Sequence, residues 1–152
     1  MNRDNIQYTI DTLKAAQNFS IRNFQSSRPG RFSWPAKYAQ DIEELHTCGN
    51  TACIAGYVGL TQRWRDLGGV CDQGIPSFPD LSEDEIENGD HDYTIASLVR
   101  FWGLPAIDIA AIIYSENWQE FREAFTGLPK DWRTMTKEDA ISLFEQLLAK
   151  GE

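Results

Sequence analysis

Sulfur and imidazole are scarce in this chain: three cysteines, Cys48, Cys53 and Cys71, and two histidines, His46 and His91, in 152 residues. An odd set of cysteines cannot be fully paired within one chain, which excludes a closed disulfide framework and suits a reducing compartment. Long apolar runs are missing as well. The longest, near residues 106 to 114, contains Asp108 and is too short to span a bilayer. The polar start Met1-Asn2-Arg3-Asp4-Asn5 has none of the apolar character of a secretory signal, so a soluble, cytoplasmic protein with no membrane partner is expected. No Walker loop, dinucleotide glycine fingerprint, nucleophile elbow or zincin motif occurs. No run of alternating polar and apolar residues argues for a substantial sheet.

Positive charge is absent from one region. Residues 71 to 92 hold no lysine or arginine against eight acids, whereas residues 1 to 70 hold eight basic against six acidic side chains. Almost all of the net charge of -9 therefore comes from 22 residues. Such a stretch repels phosphate and attracts cationic surfaces, which argues against direct nucleic-acid binding through it.

What is present is the material for a core: 41% hydrophobic and 12% aromatic residues, with five tryptophans spread along the chain. The three-to-four spacing of Ile6, Ile10, Leu13 and Ala16 or Gln17 predicts a first helix capped by Asp4 or Asn5. Phe19, Ile21 and Phe24 extend its core pattern, and a turn-rich loop follows from residue 26 to Pro35. A short helix is expected over residues 37 to 45. Asn50 or Thr51 would cap the next, running to about Leu67, with Ala52, Gly56 and Gly59 on a small face and Cys53, Tyr57, Leu60 and Trp64 on a bulky one. Two glycines inside a helix cost about 1 kcal/mol each, so close approach of a neighbouring helix is expected there.

Residues 71 to 92 read as a long acidic loop with one helical turn around residues 82 to 87. Helices resume with the stripe Ile95, Leu98, Val99 and Trp102, stop at Gly103, restart at Pro105, and recur around Trp118 to Phe125. The last opens at Thr136-Lys137-Glu138-Asp139, a capping box with Asp, and ends at Gly151. The sum is a mainly α protein: one compact domain of about six to eight helices carrying a long acidic loop.

Three constellations offer chemistry. His46, Cys48, Cys53 and Cys71 are ligand types that zinc prefers, and Cys48 near a helix start beside His46 has the makings of an activated thiolate. Their spacing lacks paired cysteine knuckles, and core and turn roles explain the cysteines without metal. Arg28, Arg31, Phe32 and Trp34 combine cations with aromatics, as a nucleotide or single-strand binder would. A solvated loop over buried aromatics explains the same pattern. The helix pair of residues 93 to 114 has a helix-turn-helix outline, but its second helix carries Asp108 and no basic residue, which rules out a recognition helix. The acids Asp80, Glu83, Asp84, Glu85, Glu87, Asp90 and Asp92 do not match an EF-hand order. Followed by the aromatic Tyr93, they suit docking onto a basic groove of a partner protein.

The pattern Cys48-Gly49-x-x-x-Cys53-x-x-Gly56, preceded by Phe32-x-Trp34 and followed by Gly103-Leu104 and a Trp-rich helical C-terminal region, resembles a group of small phage-encoded and bacterial proteins. Residues 32 to 150 fit the outline, except that Asn50 stands where a smaller residue is expected and the acidic insertion is longer. The resemblance implies a helical fold and a mobile-element origin, hence a place in the host-cell cytoplasm, and assigns no activity, since most members lack an assigned function. Together with the charge map it leads to the expectation of a non-enzymatic accessory protein. Such a protein would bind, and inhibit, a host protein with a basic surface, such as a defence or nucleic-acid-handling complex, and would need no cofactor. A zinc- or thiol-dependent protein and a nucleotide or oligonucleotide binder stand as the alternatives.

Overall fold

The computed structural model describes residues 1–16, 19, 21, 26–27, 50–51, 53–72 and 75–151. Among these the protein is mainly helical. The elements are α1 (Arg3–Ala15), β1 (Ser26–Ser27), β2 (Asn50–Thr51), α2 (Ile54–Gly59), α3 (Gln62–Asp66), β3 (Val70–Asp72), β4 (Ile75–Ser77), α4 (Glu83–Asn88), α5 (Tyr93–Trp102), α6 (Ala106–Tyr114), α7 (Trp118–Arg122) and α8 (Lys137–Lys150), with a 3-10 turn at Trp132–Thr134. The turn-rich loop and the short helix expected over residues 37 to 45 fall largely or wholly outside the described residues.

The stripe of α1 is buried as its spacing requires, through Ile6, Ile10 and Leu13, and Ala16 continues it. Its cap is Asn2, whose side chain accepts from the Asn5 amide, ahead of both expected positions, Asp4 and Asn5. Asn5 is spent inside instead. Its Nδ2 donates to the Phe101 carbonyl at 2.7 Å, and its Oδ1 accepts from Arg63 Nε. The Trp102 indole donates to Thr9 Oγ1 at 2.9 Å, and Thr9 donates to the Asn5 carbonyl. These hydrogen bonds join α1, α3 and α5 in one arrangement.

α8 buries Ala140, Leu143, Phe144 and Leu147 and lies antiparallel to α1. Two cross-links establish the direction: Lys137 Nζ at the start of α8 donates to the Ala16 carbonyl, and Arg3 at the start of α1 donates to the Leu148 carbonyl, both at 2.9 Å. Each cation thus meets the C-terminal carbonyls of the other helix, where the macrodipole favours positive charge. The Phe144 ring packs tilted against Trp102 with centroids 5.0 Å apart, tying the pair to α5.

α5 ends at Gly103 in the left-handed conformation (φ 67°), and a Cβ there would meet the Asn2 amide at 2.8 Å. Pro105 then opens α6, turned by 114° from α5. No single helix among the described residues is long and apolar enough to cross a membrane.

The long helix expected after Thr51 is instead two. Asn50 and Thr51 belong to β2, Cys53 is the N-cap of α2, and Thr61 starts α3 by accepting from the Trp64 amide. Every residue of α2 is buried, the small side chains as well as the bulky ones. Gly59 is explained by a strand: a Cβ there would lie 2.6 Å from Pro76 Cβ on β4. β3 and β4 pair antiparallel, Cys71 opposite Pro76, inside the stretch expected to be loop. Pro76 is tolerated because the pair has only two strands, leaving its nitrogen outside the ladder.

Candidate functional site: an acidic ridge on α4

The acidic segment is ordered by its own acids. Ser82 caps α4 and Glu85 reciprocates, a complete capping box that turns the expected single turn into a helix of six residues. Arg100 on α5 then grips the segment from below. Its Nε and Nη2 donate to the two oxygens of Glu85 at 2.8 and 2.7 Å, and Nη1 donates to Asp80 Oδ1 at 2.6 Å. The guanidinium also lies 5.1 Å above the Phe78 ring. The bidentate guanidinium holds the Glu85 carboxyl down at about 2, well below its ordinary 4.5.

The clamp separates the predicted contact residues into two sets. Asp80 and Glu85 are bound to Arg100, and Asp92 caps α5 by accepting from the Ile95 amide at 2.9 Å. These three hold the scaffold. Glu83, Asp84, Glu87 and Asp90 are exposed, and their carboxylates carry no hydrogen bond or ion pair among the described residues. Glu83 and Glu87 are one turn apart and Asp84 lies beside them, so three carboxylates crowd one helix surface where like charges repel. Asp90 and His91 follow with φ of 58° and 59°, and Tyr93 is 60% exposed at the start of α5.

A second cluster was not anticipated from the sequence. The Tyr114 hydroxyl at the end of α6 donates to Asp92, accepts from Thr94 and lies near Cys53. Burial first, then the Asp92 charge, push its pKa up to about 12. Burial pushes the Cys53 thiol up to about 11. A thiol in that environment stays protonated, which disfavours it as a nucleophile. Cys71 is also buried and no disulfide joins the two. His46 and Cys48 lie outside the described residues, as do Arg28, Arg31, Phe32 and Trp34. Among the described residues no three His, Cys, Asp or Glu side chains converge as metal ligands.

Two clefts indent the opposite end of the sequence. One of about 650 Å³ lies between α7 and the 3-10 turn. Part of its polar edge is engaged: Trp118 and Trp132 donate to the Pro129 and Ile112 carbonyls, Gln119 to the Lys130 carbonyl, and Arg133 pairs with Asp131. The other, of about 410 Å³, is formed by α6, α7 and α8. No protein-family model, curated protein or solved structure matches the chain.

Proposed function

We propose that the chain is a binding protein of phage or mobile-element origin that docks its α4 ridge onto a basic surface of a host protein, such as a defence or nucleic-acid-handling complex, and blocks that surface. The observation that carries the reading is the division of labour among the acids. Arg100 fixes α4 through Asp80 and Glu85, leaving Glu83, Asp84 and Glu87 presented outward on a held helix. Carboxylates positioned in advance lose little freedom on binding, and their shared field speeds encounter with a cationic surface. Tyr93 supplies an aromatic side chain beside the charge, the residue type that anchors protein interfaces. The mobile-element origin and the host partner rest on the resemblance of the Cys48 to Gly56 pattern and its flanks.

The test is a pull-down from bacterial lysate at low and moderate salt, comparing the protein with a Glu83→Gln, Asp84→Asn, Glu87→Gln triple variant. The expected outcome is loss of salt-sensitive partners with the fold intact. Identical partners and identical salt sensitivity in the variant sink the reading.

A further inference from the structure

We propose that the cleft between α6, α7 and α8 binds a small organic cation, with an ammonium or guanidinium head at Asp108 and Glu120 and an apolar stem against Ile107, Phe121, Phe125 and Leu147. No residue of α4 lines this cleft, so the inference is independent of the ridge as a docking surface. Its volume of about 410 Å³ is in the range of small-molecule sites, and its lining has their composition, mostly apolar with a few polar groups.

The chemistry of the head group follows from Asp108. This carboxylate is half-buried at the cleft wall and receives no hydrogen bond or ion pair among the described residues. Its place in the first turn of α6 brings some help from the helix dipole, but that is a small effect and leaves the oxygens unpaired. Burial accordingly raises its pKa. A neutral ligand would deepen the desolvation without supplying a partner, and an anion would be repelled by both Asp108 and Glu120.

The chain's own cation shows what the rim accepts. Lys150 Nζ sits 4.4 Å over the Phe125 ring and donates to the Ala124 carbonyl, so its charge is taken by a ring and a carbonyl, not by either carboxylate. Phe121 and Phe125 stack at 4.9 Å, forming an aromatic wall, and Ile107 is 61% exposed at the edge. An apolar stem entering past Ile107 covers side chains that otherwise face water.

The experiment titrates the full chain with 2-phenylethylammonium, with the matched alcohol and with the matched carboxylate, followed by amide NMR shifts. Expected are shifts centred on α6, α7 and the end of α8 for the ammonium, at least about tenfold weaker binding of the alcohol, the size of one charge-assisted hydrogen bond, and none for the carboxylate. Asp108→Asn should bring the ammonium's affinity most of the way down toward the alcohol's while the alcohol's is unchanged. Glu120→Gln, on the exposed face of α7, should weaken the ammonium in the same direction and serves if the first variant folds poorly. Equal affinity for alcohol and ammonium, shifts elsewhere, no loss in either variant, or binding confined to lysine- or arginine-containing peptides would each overturn the proposal.

Discussion

α4 and α8 begin with the same device and are kept by different forces. Ser82 with Glu85, and Thr136 with Asp139, form complete capping boxes at the two helix starts. From there α8 runs for 14 residues and buries four side chains against the core, whereas α4 runs for six and buries none. Its attachment is the Arg100 clamp, together with the close packing of Gly89 on Ala96, where a Cβ would meet Ala96 Cβ at 2.6 Å. Capping chemistry therefore starts a helix without deciding its fate. Apolar burial makes α8 part of the global cooperative unit, and charge makes α4 a locally held element available for recognition.

The largest effect expected from this contrast is at Phe144, fully buried on α8 and packed against Trp102. Phe144→Ala should lower global stability by about 3–5 kcal/mol, measured by denaturant unfolding, because a cavity opens between α8 and α5. A loss under about 1 kcal/mol would mean that α8 is not anchored by its buried face.

Arg100→Met is expected to act mainly on α4. Global stability should fall by no more than about 1 kcal/mol, since the pairs are partly exposed, while hydrogen-exchange protection of the α4 amides should largely vanish. The pH dependence has a definite sign. The Glu85 pKa is lowered from 4.5 to about 2 on folding, so its contribution is fully present above pH 4.5 and is lost as pH falls toward 2. Glu85→Gln should flatten stability across that window, and an unchanged acid limb in this variant would remove the clamp from the account.

The same contrast explains what the sequence made legible. The stripes of α1 and α5, the stop at Gly103, the restart at Pro105 and the box at Thr136 depend on residues within a turn or two of one another, and all appear in the structure. The box at Ser82 is just as local, yet with no apolar stripe after it the sequence predicts only a single turn in a loop. Arg100 reaches back 15 residues to Glu85 and 20 to Asp80, a relation that no periodicity encodes. The β3–β4 hairpin escaped notice because its strands are three residues each and one contains Pro76. Thr61 gives no sign in the sequence of starting a helix, because the apolar pattern runs through it from α2 to Trp64. Of the candidate contact residues, the chain position of each acid was plain, but which ones face outward is settled by tertiary pairing alone. In the sequence Asp108 is only a charge unfit for DNA, and its place in a cleft depends on how α7 and α8 lie against α6.

The smallest and most discriminating change removes one hydroxyl from each box. Thr136→Ala takes away the acceptor for the Asp139 amide, 3.1 Å away, and Ser82→Ala takes away the acceptor for the Glu85 amide, 3.2 Å away. Each loss is worth about 1 kcal/mol to its own helix. For α8 that cost is felt only when the whole protein unfolds, so the denaturant midpoint should move. For α4 the cost is felt in local opening, so Ser82→Ala should speed amide exchange in residues 83 to 88 and leave the global midpoint nearly in place. The Arg100 ion pairs persist in that variant, because Glu85 keeps both oxygens for the guanidinium. Equal midpoint shifts in the two variants would put α4 and α8 in one cooperative unit. The acids of α4 would then be stabilised by the whole fold, and a held but separable ridge would no longer describe them.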